Sequence, residues 1–182
     1  MASEPKTSGL TYDDLLAMPE DNIKRDLLDG ELYVTSPSRR HANVALRLGS
    51  LLLGYADEHG GEAHATIFDV YLSHTNVVEP DAMYVRPEHM ERFDERKLAG
   101  PPDLVVEISS PSTRRHDLTK KLEVYERFGV PEYWFVDLHR DVVEVRRLDA
   151  GYERPRVFVR GDVLRTPELP GFELHVDSLL DA

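Results

Sequence analysis

The longest regular pattern in the chain is a helical repeat of apolar positions between Ser38 and Glu58. Apolar residues recur there every three or four positions, which predicts one long amphipathic helix. The predicted buried stripe consists of Ala42, Ala45, Leu48, Leu52 and Tyr55. Gly60 and Gly61 follow directly, and glycine commonly ends a helix.

Two further helices are predicted on either side of this one. Thr11 is a typical N-cap residue, and Asp14 three positions later favours a short helix after it. The segment from Thr113 to Phe128 has amphipathic spacing and is followed by Gly129. The charged segment 88–98 is predicted to be a short helix or an ordered loop.

Short runs of β-branched, aromatic and other apolar residues, bounded by turn residues, predict the strands. A turn at Asp29-Gly30 leads into the first, and the others lie at 65–72, 77–85, 103–109, 131–137 and 142–145, with edge strands at 152–159 and 172–176. The segments 131–137 and 142–145 are expected to form a hairpin. The predicted fold class is α/β or α+β, with one mixed central β-sheet flanked by helices.

Composition limits the class of protein. The 182 residues, 41% of them hydrophobic, suit one domain over residues 10–182 after a flexible tail at residues 1–9. No apolar run approaches the ~18 residues of a membrane span, and the N-terminus lacks a signal-peptide pattern. We therefore expect a cytoplasmic protein without membrane contact. The absence of cysteine excludes disulfides and thiolate metal sites, so a metal must be held by oxygen or imidazole ligands.

The charge balance is acidic. A formal net charge of −12 and a pI near 5.1 argue against tight, nonspecific binding of a polyanion. Four basic pairs, at residues 39–40, 114–115, 120–121 and 146–147, line one groove only if the fold brings them together. The alternative is that they are ordinary solvated surface charges.

Two carboxylates stand inside apolar, strand-like runs. Asp81 lies in the run 77–85 and Glu107 in the run 103–109, and acidic residues in such runs are rarely buried without a partner cation. Opposed residues on adjacent strands lie ~5 Å apart, so this pair is able to share one hydrated magnesium ion. Asp103 is on the same face as Glu107, but about 13 Å away along the strand, too far to share that ion. The alternative is that Asp81 caps a strand and Glu107 faces solvent from an edge strand.

A lysine and a histidine complete the set that the residues themselves suggest. Lys121 precedes Tyr125 by four positions and lies at the edge of the buried stripe of its helix, whereas Lys120 does not. Two strand carboxylates and a lysine are the minimal parts of a magnesium-dependent phosphodiesterase. The alternative for both lysines is a solvated helix face. His41 in the first turn of the long helix is by default a polar surface group.

Several short motifs follow one another in a fixed order: Asp29-Gly30-Glu31, Ser36-Pro37-Ser38 with His41, Glu79-Pro80-Asp81, the run Pro102–Thr113, Asp117 with Lys121 and Tyr125, and the run Gly129–Asp137. This order, over roughly residues 10–150, resembles the Uma-two family, which is grouped with the restriction endonucleases. The resemblance implies a restriction-endonuclease-like fold of the PD-(D/E)XK nuclease superfamily.

The resemblance also assigns roles by position. It implies that Asp81, Glu107 and the backbone carbonyl of Ile108 bind Mg²⁺ or Mn²⁺, and that Lys121 is the catalytic lysine. That lysine is displaced onto the following helix, since Ser109 stands two residues after Glu107. Asp26 matches an early acidic position that is usually glutamate, and its shorter side chain puts direct ligation in doubt. His41 matches a family histidine, and it and Asp26 are expected to orient waters or a second ion.

The implied activity is metal-dependent endonucleolytic hydrolysis of phosphodiester bonds in nucleic acid, with DNA favoured over RNA, by a protein expected to be a homodimer. Lys121 is expected to orient the attacking water and to bind a phosphate oxygen. The alternative is a catalytically silent module of the same fold that oligomerises or regulates and holds a cation only structurally, as the acidic charge favours. An RNA-processing enzyme shares the chemistry and differs only in substrate.

Overall fold

The computed structural model describes residues 9–19, 21–109 and 117–181. Its helices are α1 (Tyr12–Leu16), α2 (Arg39–His59), α3 (Leu122–Arg127) and α4 (Val176–Leu180), with 3₁₀ turns at Pro87–Arg92 and Leu148–Ala150 and a π-helical turn at Asp117–Lys121. Its strands are β1 (Lys24–Leu28), β2 (Glu31–Thr35), β3 (Glu62–His64), β4 (Asp69–Ser73), β5 (Asn76–Val78), β6 (Ala82–Val85), β7 (Lys97–Ala99), β8 (Leu104–Ile108), β9 (Glu132–Asp137), β10 (Val142–Arg147), β11 (Arg156–Phe158), β12 (Val163–Leu164) and β13 (Leu174–His175).

The described strands form two large sheets and one small one, not the single sheet that the pattern predicted. The first sheet has the order β2-β1-β5-β4-β7, the second β11-β10-β9-β8-β6-β3, and β12 pairs with β13 alone. Both large sheets are mixed, because β4 with β7 and β8 with β9 are parallel pairs among antiparallel ones. The expected fold class, mixed sheets flanked by helices, is confirmed.

The predicted strand 77–85 was wrong in one informative respect, because it is two strands in different sheets. Strand β5 belongs to the first sheet and β6 to the second, and Glu79-Pro80-Asp81 carries the chain between them. Proline has no N–H for a strand ladder, so Pro80 suits a point where pairing stops. Of the predicted strand 65–72, only residues 69–72 are in a strand, β4, and β3 ends just before this range at His64. Asp81 therefore lies at the crossing between the sheets.

Helix α2 covers the second sheet and agrees with its predicted range within one residue. The side chain of Ser38 accepts a hydrogen bond from the His41 amide, and Gly60 ends the helix with a φ of 82°. The buried stripe differs slightly from the predicted one, since Ala42 is exposed and Val44 is buried. The stripe packs in the same core cluster as the inner face of β8 and β9.

Strand β8 is central, with β6 on one side and β9 on the other, and all five of its residues are buried. The alternative that Glu107 faces solvent from an edge strand is therefore wrong. In β9 the rings of Tyr133, Trp134 and Phe135 are all buried, so they belong to the core. The hairpin of β9 and β10 has its predicted partners, with Val142 opposite Asp137.

The remaining predictions are met in part. Of the predicted helix 113–128, residues 113–116 lie outside the described ranges, and the described part begins as a π-helical turn before α3. Segment 88–98 contains a 3₁₀ turn and the start of β7, and segment 172–176 contains β13. Almost all of the predicted N-terminal tail lies outside the described residues. Within the described ranges, none of the helices combines the length and apolarity needed to cross a bilayer.

Candidate active site

Asp81 and Glu107 face each other where β6 and β8 pair. Ala82 is opposite Val106 in this antiparallel pair, so the next step of the register sets Asp81 against Glu107. The Oδ2 atom of Asp81 accepts a hydrogen bond of 2.7 Å from the Ile108 amide. The structure thus brings together the three residues expected at the metal, with the Ile108 amide holding the Asp81 carboxylate in place.

Lys121, the last residue of the π-helical turn, contacts Glu107. Its Nζ atom lies 2.9 Å from Glu107 Oε1 and 2.8 Å from Asp26 Oδ2, and its side chain is 3% exposed. The hydroxyl of Tyr125 donates to the same Glu107 oxygen at 2.6 Å. Lys120 instead is exposed and pairs with Glu31. Of the two adjacent lysines, only Lys121 reaches the carboxylates.

Asp26 ties the first sheet to the crossing between the sheets. Its Oδ1 atom accepts a hydrogen bond of 2.9 Å from the Glu79 amide, and Glu79 Oε2 accepts one of 2.8 Å from the Arg25 amide. Strand β1 and the Glu79-Pro80-Asp81 crossing are therefore bonded in both directions. Asp26, fully buried, supports Lys121 and the backbone next to Asp81 at once.

His41 is buried, contrary to the default expectation of a surface group. Its Nε2 atom lies 3.0 Å from Asp81 Oδ2, on the oxygen that also accepts from Ile108. Within the described part of the chain, its Nδ1 atom is buried without a hydrogen-bond partner. The first turn of α2 thus contributes a ring that holds the Asp81 carboxylate.

Lys24 is the site residue that the sequence analysis missed. Its Nζ atom lies 2.6 Å from Asp81 Oδ1 and 3.4 Å from Glu107 Oε2, so one ammonium bridges both carboxylates. Lys24 and Asp26 are two positions apart on β1 and therefore share a face. This two-residue spacing is informative only once a strand is known there, and no strand had been predicted before the turn at Asp29-Gly30.

Lys24, Asp26, Asp81, Glu107 and Lys121 form one charged cluster, and its charges shift the pKa values of Asp81 and Lys24. Burial alone raises the pKa of Asp81, but the Lys24 ammonium and the hydrogen bond with His41 outweigh it and hold that pKa below its ordinary value. Burial lowers the pKa of Lys24, but the carboxylates of Asp81 and Glu107 more than reverse this and raise it. Asp81 and Lys24 are therefore both charged at neutral pH. Burial raises the pKa of nearby Glu79 to about 7.

The donor atoms suit a hard divalent cation. Within residues 9–19, 21–109 and 117–181, no three His, Cys, Asp or Glu side chains are gathered as a ready ligand set. Magnesium, however, is usually bound by one or two carboxylates and keeps several waters. Asp81 and Glu107 supply two carboxylates that already share a cation, the Lys24 ammonium. The residues present therefore fit Mg²⁺ or Mn²⁺ with mostly water ligands.

A cavity of about 300 Å³ opens beside the carboxylates. Its lining includes the charged residues Lys24, Asp81, Glu107 and Lys121 and the apolar residues Ala42, Ala45, Leu46 and Ile67. A molecule entering this cavity meets both lysines and both carboxylates. The cavity therefore gives a substrate access to the cluster.

Other charged residues lie elsewhere. The carboxylate of Asp103 accepts a hydrogen bond from the Arg86 amide and contacts His89, so it stabilises the 3₁₀ turn and not the cluster. Three of the four basic pairs contribute an arginine or lysine to a local ion pair, namely Arg40 with Asp141, Lys120 with Glu31, and Arg146 with Glu144. The fourth, at residues 114–115, lies outside the described ranges. Among the described residues, the basic pairs are thus largely neutralised by nearby acids.

Comparison with known proteins identifies similar sequences and folds. Residues 12–177 match the family model "Uma2: Putative restriction endonuclease". The crystal structure of "a putative nuclease belonging to DUF820" from Anabaena variabilis ATCC 29413 has a TM-score of 0.79 to this chain, at 18% identity, and the match covers 94% of this chain and 98% of that one. This likeness shows the shared fold. No curated protein matches the chain.

Proposed function

The chain belongs to the Uma2 family, whose model is described as "Putative restriction endonuclease", and on that premise we propose that it is a metal-dependent endonuclease that hydrolyses phosphodiester bonds of nucleic acid, with DNA as its substrate. Restriction-endonuclease-like proteins generally use divalent metal ions. The observation that supports the proposal most strongly is the convergence of Asp81, Glu107 and Lys121 in the lining of one cavity. These are the residue types that metal-assisted phosphodiester hydrolysis needs.

In the proposed mechanism each residue has a separate task. Asp81 and Glu107, with the backbone carbonyl of Ile108, would hold Mg²⁺ or Mn²⁺. Such an ion would make a bound water more acidic and would stabilise negative charge on the phosphate. Lys121 orients the attacking water and binds a non-bridging phosphate oxygen, which stabilises the transition state.

Two other residues position this machinery. Asp26 holds the Lys121 ammonium and, through the Glu79 amide, the backbone that precedes Asp81. His41 fixes one oxygen of Asp81, leaving the other directed at Lys24. Their contacts with Lys121 and Asp81 favour positioning over direct ligation. Because Asp26 is ion-paired with Lys121, its shorter side chain is no obstacle to this task.

A non-catalytic module with a structural cation site is the second candidate. Two observations favour it: the net charge of −12, and an ion pair in which the Lys24 ammonium already bridges both carboxylates. It predicts metal binding without cleavage of any nucleic acid. A cytoplasmic homodimer with a single domain over residues 10–182 remains a prediction under both candidates.

Cleavage assays with single-stranded DNA, duplex DNA and RNA, each with Mg²⁺, Mn²⁺ or chelator, test the proposal. We expect metal-dependent cleavage of DNA by the wild type, and its loss in Glu107→Gln. Glu58→Gln is the matched control, because Glu58 is exposed on α2 and loses the same charge. Circular dichroism of both variants checks the fold. Full activity of a folded Glu107→Gln variant, or cleavage that persists in chelator, would contradict the mechanism.

A further inference from the structure

Lys24 occupies the space between the two carboxylates where a shared ion is expected. Its ammonium contacts Asp81 Oδ1 and Glu107 Oε2, one oxygen from each side chain. The other Glu107 oxygen is taken by Lys121 and Tyr125, and the other Asp81 oxygen by His41 and Ile108. The oxygens that face Lys24 are therefore the pair left for a shared cation.

The charges favour replacement of Lys24 by a divalent ion over coexistence with it. Among the side chains that contact one another here, Asp26, Asp81 and Glu107 bring three carboxylates, and Lys24 and Lys121 bring two ammonium groups. Glu79 lines the same cavity, but its carboxylate accepts a hydrogen bond from the Arg25 amide instead. With Lys24 replaced by a dication, the three carboxylates are balanced by that ion and Lys121. With Lys24 kept as well, the enclosed cluster carries an excess positive charge beside a metal, which is costly in a poorly solvated place.

The cavity also offers space into which the Lys24 ammonium can move. Its side chain is 15% exposed and lines the cavity, whereas the Lys121 side chain is 3% exposed and bound between Asp26 and Glu107. Long lysine stems readily change rotamer while the ammonium moves towards solvent. Of the two lysines, Lys24 is thus the one free to leave its carboxylates without disrupting the Asp26 contacts.

We infer that Lys24 is a built-in competitor for the divalent cation: it forms an ion pair with Asp81 and Glu107 in the metal-free protein and swings into the cavity when the ion binds. The metal affinity then depends on how readily the divalent ion replaces the Lys24 ammonium at the Asp81 and Glu107 oxygens. This inference rests on the proposed function, since it concerns the same carboxylate pair. It makes the metal-free site stable and the metal affinity low, and it delivers an ammonium to the cavity when metal enters.

Calorimetric titration of Mn²⁺ into Lys24→Met tests the exchange. Because the competitor is removed, we expect at least tenfold tighter binding than in the wild type, which corresponds to about 1.4 kcal/mol. Lys24→Arg keeps the charge and is expected to bind as weakly as the wild type. Lys120→Met, which loses the same charge at an exposed position, is the matched control and should also resemble the wild type.

The outcomes separate this inference from the proposed function. Equal affinity in Lys24→Met and wild type, with binding abolished in Asp81→Asn, overturns the competitor role and leaves the metal site standing. No binding by either the wild type or Lys24→Met overturns both.

A second measurement needs no variant and covers the case in which Lys24→Met does not fold. Acetylation of the wild-type protein, followed by mass spectrometry, reports how accessible each lysine is. We expect saturating Mn²⁺ to increase modification of Lys24 several-fold and to leave that of Lys120 unchanged. Unchanged or decreased modification of Lys24 in a metal-saturated protein would refute the exchange.

Discussion

At the scale of single residues, Lys121 is a charged side chain whose burial is tolerated because of its ion-pair partners. It is buried between Asp26 and Glu107, and a lone ammonium in such a place is strongly disfavoured. Its neighbour Lys120 is exposed and makes an ordinary surface pair. Two adjacent lysines with the same helix propensity therefore contribute very differently to the free energy of unfolding.

This difference predicts the effect of Lys121→Met on stability. Removing the buried ammonium leaves Asp26 and one oxygen of Glu107 without their cation, and breaking a buried pair costs about 3–5 kcal/mol. Lys120→Met is the control and should change the free energy of unfolding by less than about 1 kcal/mol, as surface pairs do. Urea denaturation of the two variants measures both values. Equal effects would show that Lys121 is not held as described.

The residues themselves predicted part of this site. Strand patterning singled out Asp81 and Glu107, and helical spacing singled out Lys121 over Lys120, whereas Asp26 was assigned a role only through the family resemblance. Lys24 was missed because its role depends on β1 being paired between β2 and β5 in the first sheet. A run such as Lys24-Arg25-Asp26, with three charges in a row, carries no apolar alternation that would predict a strand.

At the scale of elements, the start of α2 determines where His41 lies. Ser38 is the N-cap, and its hydroxyl accepts a hydrogen bond from the amide of His41 itself. The cap that begins the helix therefore also fixes the backbone of the residue whose ring contacts Asp81.

Helix α2 was predictable almost to the residue because period, N-cap and terminal glycine agree. The split of segment 77–85 was not, because each half is equally apolar and only pairing partners distinguish them.

Ser38→Ala tests the cap. Loss of an N-cap side chain costs about 1 kcal/mol, and we expect that loss in the free energy of unfolding of this variant. Ser50→Ala, at an exposed position inside α2, is the control and should be neutral or slightly stabilising, since alanine has the higher helix propensity. A Ser38→Ala variant as stable as Ser50→Ala would contradict the capping role.

Strand β9 carries a buried acid, Glu132, whose hydrogen-bond partners lie outside the charged cluster. Glu132 is fully buried, accepts a hydrogen bond from the Trp134 indole and contacts the Thr166 hydroxyl. Burial raises the pKa of Glu132 above its ordinary value of 4.5, despite these hydrogen bonds. The folded protein therefore holds this proton more tightly than the unfolded chain.

The sign of the resulting pH dependence follows by linkage. Below pH 4.5 Glu132 is protonated in both states and costs nothing; as pH rises through its folded pKa, the folded state must bury a charge and stability falls. Glu132→Gln removes this loss, so its stability relative to the wild type should increase between pH 4.5 and pH 8. Urea denaturation across this range measures the difference, with Glu58→Gln as the exposed control. A difference that is constant with pH would contradict the burial of a shifted carboxyl.

At the scale of the whole molecule, the site is formed where the two large sheets meet. Strand β1 of the first sheet brings Lys24 and Asp26, the crossing that leads into β6 brings Asp81, and β8 of the second sheet brings Glu107. The π-helical turn adds Lys121, and α2 adds His41. Patterning predicted most of the elements but not β1, and it did not show that there are two sheets, because pairing between distant strands has no local signal.

The net charge of −12 also acts at this scale. A field of this sign slows the approach of nucleic acid and attracts divalent cations. Weak, scattered cation binding is thus expected anywhere on the surface, and any test of the carboxylate pair needs a control for it. Asp103 is unsuitable as that control, because its buried carboxylate supports the backbone at Arg86. Asp57, exposed on α2, is a better choice.

The most direct test of the account is calorimetric titration of Mn²⁺ into the wild type, Asp81→Asn, Glu107→Gln and the control Asp57→Asn. We expect one saturable site in the wild type and in Asp57→Asn, and its loss in Asp81→Asn and Glu107→Gln. Binding that is the same in all four proteins would mean that Asp81 and Glu107 form no metal centre, and the metal-dependent mechanism would have to be abandoned.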